Sequence, residues 1–467
     1  MEFIEIANLF EKLENTSKRL EKTLLLRDFF SKNPKTTPIL FDCIAGNYQR
    51  EIGKKSLGIS IKTTIEVLSF VTQTSQKEIE KKFNKQGDIG LVAEEIIQNK
   101  KQNTLHTKKL QFQDILKAFN NISNKTGSKS NSFKKEELSN LFLKTNDKNE
   151  AKYLARFIID DFRIGVSKGA LKDAITHTIF PKINSLHTIC QECGYINFST
   201  QSCIKCRTKI DLQKQKELIE KSYTHHDCKI PKEVKNLKNY IPIRDEEQKI
   251  AYILRTTKNE DFITVNSPRE IFNTFQNIIE KQYNILNSFQ KLVEKCNKSK
   301  EECLNTQLEL HRPILSMLGT RLENVNEIFE TFKAPVFLDF KYDGLRVQIH
   351  NENGKVTLFS RNLENITNQF PEIIDFIKTN FPKQKFILDS ECVGIDVNTN
   401  KYLPFQTLSR RILTKDVSSV QNIKIIVKAF DILYLDGETL IDKPFKQRRE
   451  ILENLFLNRE LRQKKQI

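Results

Sequence analysis

The stretch "FLDFKYDGLRVQIH" (337–350) places Lys341 directly ahead of Asp343, Gly344 and Arg346. A lysine attacks phosphorus only as the neutral amine, so that role demands burial or a neighbouring positive charge. Arg346 offers the charge, Gly344 lets the chain turn closely around a ligand, and Asp343 can orient the amine. Three later stretches carry what a purine nucleotide needs. "FSRN" presents Arg361 at a strand end, and "AFDILYLDG" presents Phe430 as an aromatic face for a base. "LDSE" presents Glu391, an acid inside an apolar strand that suits a ribose hydroxyl or a metal. Each residue alone has a plainer reading: a solvated lysine, a paired structural acid, a core aromatic. The ordered set of four is harder to obtain by accident.

A second constellation is "CQECGYINFSTQSCIKC" (190–206), in which Cys190, Cys193, Cys203 and Cys206 follow a C-x2-C-x9-C-x2-C pattern. Two C-x-x-C knuckles at short separation point to a zinc ribbon. The ribbon either ties down an inserted segment or, through Lys205 and Arg207, extends a binding surface. The nearby "THHDC" (224–228) crowds His225, His226 and Cys228 too closely for one clear site, and they read as surface residues. With four of nine cysteines grouped, the usage suits a metal in a reducing cytoplasm better than a disulfide framework. A third stretch, "RIGVSKGALKD" (163–173), combines Arg163, Gly165 and Lys168 at a helix start, where backbone amides suit a phosphate without reading sequence.

The chain that must position these groups has 467 residues, enough for two or three domains. It carries 76 Lys+Arg against 59 Asp+Glu, a net charge of +17, which fits either a polyanionic partner or a lysine-rich proteome. No run of about 18 apolar residues indicates a membrane span. The N-terminus has Ile6, Leu9, Phe10 and Leu13 at helical spacing, unlike a signal peptide. Residues 1–180 read as amphipathic helices, as in "EKTLLLRDFF", "TIEVLSFV" and "LQFQDILKAFNNI". Residues 180–310 hold the cysteine cluster and then Lys/Glu/Gln-rich helical text. From 335 the period becomes two: "VFLDF", "LRVQIH", "KVTLFS", "KFILDSECVGI" and "IIVKAFDILYL" read as strands, with a hairpin turn at Asn353-Gly354 and helical "FPEIIDFIKTNF" between.

Taken in order, "KYDGLR", "FSRN", "LDSE", "PFQTLSRR" and "AFDILYLDG" resemble the successive motifs of ATP-dependent DNA ligases of the archaeal and eukaryotic replicative type. Upstream, "GDIGLVAE" (87–94), "TGSKSNSFKKEELSNLF" (126–142), "EAKYLARFIIDDFRIGVSKGALKDAI" (150–175) and "RPILSML" (312–318) resemble that family's helical DNA-binding domain and the entry to its catalytic domain. The resemblance implies an all-α N-terminal DNA-binding domain over 1–180, interrupted by a zinc-ribbon insertion at 181–230 and completed by a helical segment at 231–310. The N-terminal portion of an α+β nucleotidyltransferase (adenylation) domain would follow over 311–467. It implies that Lys341 takes AMP from ATP, that the AMP passes to the 5′-phosphate at a nick, and that the 3′-hydroxyl displaces it. Asp339, Arg346, Arg361, Glu391 and Phe430 would hold the nucleotide, with Glu391 also a candidate ligand for Mg2+; Arg163, Gly165 and Lys168 would meet DNA.

Three departures stand out. Asp339 occupies the place where the family usually has Glu, and the zinc ribbon is not an ordinary part of the family. The chain also stops before the family's later glutamate motif, its K-x-K strand and its OB domain. The expectation is therefore a ligase chain needing ATP, Mg2+ and Zn2+, working in the cytoplasm on nicked duplex DNA. A second chain would supply the remaining half, and a sliding clamp is a candidate partner. The alternatives are a catalytically inactive zinc-ribbon DNA-binding protein derived from a ligase, and an RNA-end or capping nucleotidyltransferase, which the helical domain disfavours.

Overall fold

The computed structural model describes all residues except 49–58, 100–108, 126–129, 212–239, 244–247, 306, 318, 333–334, 397–398, 400, 409–422 and 458–467. The expectations for 224–228, and parts of those for 126–142, 181–310 and 404–411, lie outside the described residues. The chain forms two units: 1–283 with 288–304, and 284–287 with 305–467. Among the described residues no helix is long and apolar enough to cross a membrane.

Up to residue 179 the first unit is helical: α1 (Phe3–Glu14), α2 (Arg19–Lys32), α3 (Thr37–Ile44), α4 (Ile61–Thr72), α5 (Gln76–Gln86), α6 (Ile89–Ile96), α7 (Phe112–Asn124), α8 (Ser130–Leu143), α9 (Lys148–Ile158) and α10 (Lys168–Ile179). Their starts follow from capping chemistry: Ser60, Ser75, Asp88, Asp147 and Ser167 each accept a hydrogen bond from a first-turn amide. Phe10, Tyr153, Phe157 and Phe162 meet edge to face in the core between α1 and α9.

Inside this apolar core sits one charge network. Arg156 is 2% exposed. It donates to Asp88 at 2.6 Å and to both oxygens of Glu14 at 2.9 and 3.1 Å. Tyr153 Oη donates to Glu14 at 2.6 Å, and Lys152 pairs with it at 2.9 Å. Burial alone would raise the Glu14 carboxyl, but the hydrogen bonds from Arg156, Tyr153 and Lys152 win and hold it at about 2. The network fastens α1, α6 and α9 together. It also explains Gly90, where a Cβ would lie 2.7 Å from Arg156 Cγ and 2.8 Å from the Lys152 carbonyl oxygen.

The rest of the unit departs from the expected helical text. Beside α11 (Ile250–Thr256), α12 (Pro268–Leu286) and α13 (Phe289–Lys298), there are short strands β1 (Lys182–Ile183), β4 (Tyr240–Pro242) and β5 (Phe262–Thr264) in a parallel sheet of order β1-β5-β4. Three-residue strands bury too few alternating positions to leave a period in the sequence. The cysteine segment folds as the hairpin β2 (His187–Ile189) and β3 (Ile196–Phe198). Away from the four grouped cysteines, Cys296 and Cys303 are joined as a disulfide.

The second unit, which also carries α14 (Val325–Phe332), is built on an antiparallel sheet of order β11-β10-β8-β6-β7, with β9 beside β8. Its strands are β6 (Leu345–Glu352), β7 (Lys355–Ser360), β8 (Lys385–Asp396), β9 (Tyr402–Leu403), β10 (Ile423–Leu435) and β11 (Glu438–Thr439). The β6–β7 turn has positive φ at both Asn353 (52°) and Gly354 (86°), the primed turn that matches strand twist. On one face Val347, Ile349, Leu388, Cys392 and Ile432 pack with Ile373 and Ile377 of α15 (Pro371–Asn380) and Leu452 of α16 (Phe445–Leu457). Among the described residues the other face is covered at one end, where Ile387 meets Ile285, Leu308 and Ile314. Gln348 clamps that cover by accepting from the Ile314 amide at 2.9 Å and donating to its carbonyl at 2.6 Å. "VFLDF" is not a strand: it runs outside the sheet, with Phe337, Leu338 and Phe340 57, 92 and 81% exposed. Both long edges of β6 are already taken by β7 and β8, so its alternation finds no partner there.

Removing the Arg156 guanidinium leaves the buried Asp88 carboxylate without its nearest cation and takes two hydrogen bonds from Glu14. Arg156→Ala is expected to destabilise the first unit by about 3–5 kcal/mol, and Arg156→Lys by less. Urea unfolding followed by helical circular dichroism checks this; a variant with the wild-type midpoint would show the network to be dispensable.

Candidate functional site

The uncovered end of the sheet's second face carries charge where a core would be apolar. Register puts Arg346 of β6 opposite Glu391 of β8, and Lys428 of β10 opposite the same Glu391. One step along, Gln348, Asp389 and Asp431 form the next row. Arg346 binds Asp389 with two hydrogen bonds, 2.8 and 2.5 Å, and Asp431 is held the same way by Arg448 of α16 at 2.8 and 2.9 Å. Fork-to-carboxylate pairs of this kind fix direction as well as charge. Burial raises the Asp389 carboxyl although Arg346 opposes it. Arg346 Nη1 is buried and lacks a hydrogen-bond partner among the described residues.

The loop carrying Lys341 enters this face under a tight constraint. A Cβ on Gly344 would stand 2.4 Å from the Cys392 carbonyl oxygen and 2.9 Å from both Glu391 Cγ and Val393 Cγ1. Only glycine admits that approach. The same contact lets the Gly344 amide donate to the Glu391 carboxylate, whose pKa is raised by burial while the Lys341 charge pulls it down. Glu391 and Lys341 thus share one electrostatic environment. Lys341 itself is exposed, as are Asp343 and Asp339, whose carboxylate accepts from the Phe340 amide at 2.8 Å.

The other residues singled out by sequence are placed less closely. Arg361 is exposed in the turn after β7, with no hydrogen-bond or ion-pair partner among the described residues. Phe430 is the extra residue of a bulge between Ala429 and Asp431, half-buried and outside the sheet's apolar core. Asp389, Lys428 and Asp431 were missed, although period two in "LDSE" puts Asp389 on the face of Glu391; Lys428 carries no such signal until the register is known.

In the first unit the four cysteines converge. Their sulfurs all lie within 4.8 Å of one another, with Cys190–Cys206 at 3.4 Å and Cys193–Cys203 at 3.5 Å. A tetrahedral zinc with bonds of about 2.3 Å needs sulfurs ~3.8 Å apart, so the donor set fits. The two knuckles are alike. Gly194 N bonds to Cys190 O and Arg207 N to Cys203 O, both at 2.9 Å, and Gly194 and Arg207 share φ = 66°. The ribbon is fastened to α2: Arg207 pairs with Glu21 at 2.8 Å, Tyr195 donates to Asp28 at 2.6 Å, and Arg27 donates to the Ile196 carbonyl at 2.9 Å.

Residues 163–168 form a turn ending in the Ser167 cap of α10. Gly165 has φ +59°, and Lys22 of α2 donates to the carbonyls of Ile164 and Gly165 at 2.6 and 3.0 Å. Arg163 is exposed but paired with Asp161 at 2.8 Å and Asp88 at 3.5 Å; Lys168 is exposed at the first helical position.

Two family models match the chain: "DNA ligase N terminus" over residues 2–176 and "ATP dependent DNA ligase domain" over 316–467. The DNA ligase of Nanoarchaeum equitans is 28% identical over 463 residues, 98% of this chain and 65% of that protein. Those of Methanococcus maripaludis and Sulfolobus acidocaldarius are each 28% identical, over 98 and 99% of this chain and 64% of theirs. The chain therefore spans about 65% of the length of the relatives it matches. A solved ligase domain from M. tuberculosis LigD aligns with 26% of this chain and 38% of that chain at 27% identity, with a TM-score of 0.23.

Gly344→Ala is expected to force β6 away from β8, costing about 1–3 kcal/mol as overpacking does. Thermal unfolding of the second unit checks it; an unchanged transition would mean the loop has room that the geometry denies.

Proposed function

The chain belongs to the ATP-dependent DNA ligase family, and from that premise we propose that it takes part in joining nicked duplex DNA through an AMP carried on Lys341. The supporting observation is Lys341 at the head of a loop that Gly344 locks against β8, within the electrostatic reach of Glu391. In the first step the Nζ lone pair forms a bond to the α-phosphorus of ATP. The bond from that phosphorus to the bridging oxygen breaks, pyrophosphate leaves, and the amine gives up a proton. A 5′-phosphate oxygen at the nick then attacks the same phosphorus, the P–N bond breaks and the Lys341 amine leaves with a proton; the 3′-hydroxyl oxygen finally attacks the 5′-phosphate phosphorus, gives up its proton and expels AMP.

The chain's own groups divide the work. Arg346, already oriented by Asp389, has a spare donor for a ligand oxygen, and Arg361 is open to phosphate. Phe430 offers a ring for the base, Asp339 a carboxylate for adenine, and Glu391 a half-buried carboxylate for ribose or for a hard cation such as Mg2+. Magnesium bound with the triphosphate would neutralise its charge. Arg163, Gly165 and Lys168 would meet DNA phosphates without reading sequence. Zn2+ on the four thiolates would brace the ribbon against α2. The resemblance assigns a K-x-K strand and an OB domain to the remaining third of the relatives' length. Sealing would draw on those parts in the same or a second polypeptide, and a sliding clamp as partner rests on the resemblance alone.

Incubation with ATP and Mg2+ should add one AMP to the intact chain, located on Lys341 and absent from Lys341→Ala. An adduct that survives the substitution would move the nucleophile to another residue, and none in the wild type would favour a DNA-binding role without catalysis. Metal analysis should give about one zinc per chain, lost on replacing Cys190 and Cys203 by Ser; metal-free protein prepared without chelator would exclude the zinc site.

A further inference from the structure

Phe430 is the extra residue of its bulge, so no residue of β8 stands opposite it and the ladder does not fix its backbone. The apolar clusters do not hold it either. Val427, Ala429 and Ile432 of β10 pack into the core shared with α15 and α16, and Leu433 and Tyr434 join the cluster around Ile387. Phe430 belongs to neither.

What fixes the bulge comes from α16. Asp431, the next residue, accepts from the Ile432 amide at 2.9 Å and takes the fork of Arg448, Nε at 2.8 Å and Nη2 at 2.9 Å. Both members of this pair are mostly buried. Arg449 reaches the Phe430 carbonyl itself, at 3.5 Å. The Arg448 side chain is in turn held by the start of its own helix. Its Nη1 donates to the Lys443 carbonyl at 2.6 Å, and its guanidinium carbon lies 5.4 Å from the Phe445 ring centroid. The same ring meets Phe337 edge to face, 4.8 Å between centroids, in the segment that leads to Lys341. The first turn of α16 therefore touches both the approach to Lys341 and the residue beside Phe430.

A two-bond fork fixes direction where a single lysine bond would not. A ring whose backbone is set beforehand loses less freedom when a base stacks on it. We propose that Arg448 is a positioning residue for base recognition: through Asp431 it fixes the bulge so that Phe430 is in place before the nucleotide arrives. This rests on Phe430 serving the base, as proposed above. An ion pair that only fastened α16 to β10 would affect stability and treat ligands with and without a base alike.

The test is a double-mutant cycle on the full chain, read by calorimetry with an ATP analogue whose α- and β-phosphorus are bridged by methylene, so that no AMP can be transferred. Inorganic triphosphate is the probe without a base. Phe430→Ala should weaken the analogue on the order of tenfold, as loss of one base–aromatic stack does. Arg448→Met should weaken it about as much, and the double variant no further, because residues that act as one unit are not additive. Triphosphate should bind all three variants like the wild type. Should Arg448→Met fail to fold, Arg448→Lys keeps the charge without the fork; it should still weaken the analogue and spare triphosphate. Wild-type affinity in the Arg448 variant, losses that add in the double variant, or an equal loss for triphosphate each overturn the proposal. A chain that forms the Lys341 adduct yet shows additive losses keeps the adenylation reading and sinks this one. Coupled losses in a chain that forms no adduct do the reverse.

Discussion

The contact of Gly344 with β8 sets the geometry of the second unit's charged face. With a Cβ only 2.4 Å from a backbone oxygen, the loop could not lie where its amide reaches Glu391. Register does the rest. Once Arg346 is opposite Glu391, the period of two sends Arg346, Glu391 and Lys428 to one face and Val347, Ser390 and Ala429 to the other. A slip of one residue would bury the charges among Ile373, Ile377 and Leu452 and put the apolar set in water. The apolar face therefore enforces the polar one.

The first unit relies on a different device, a buried charge satisfied on every side. Arg156 takes two carboxylates from two other helices, so α1, α6 and α9 cannot shift singly without stranding a charge. From this frame α2 runs between two features of opposite kinds. Near its start Lys22 pins the carbonyls of Ile164 and Gly165; further along, Arg27 and Asp28 hold the ribbon. α2 thus meets both the ribbon, through Glu21, Arg27 and Asp28, and the 163–168 turn, through Lys22.

Much of this was legible in the sequence, and the reasons are specific. Amphipathic periods marked the N-terminal helices, and Asn353-Gly354 marked its hairpin because few residues accept positive φ twice in succession. The cysteine spacing located four sulfurs that meet within 4.8 Å. What sequence could not supply was register and choice of partner. Arg346 looked like a free cation beside Lys341, but Asp389 two positions from Glu391 claims its fork. Lys428 carries no signal of its own until β10 aligns with β8. "VFLDF" alternated well enough for a strand, yet a strand needs an open edge as well as a pattern, and β6 had none to give.

The pairings on the charged face also say what that face is prepared for. Two guanidinium groups are fixed by two aspartates, so the row needs no ligand to stay ordered and pays little to be ordered when one arrives. One donor remains: Arg346 Nη1, buried and without a partner among the described residues, a state that costs about 1–3 kcal/mol in a protein interior. Burial also pushes the Glu391 carboxyl toward its neutral form. A face with a spare buried donor, a carboxyl inclined to shed its charge and lysines at positions 341 and 428 is matched to an anion whose oxygens can meet the donor. A ligand with no acceptor atom at that point would leave the Arg346 nitrogen as it stands.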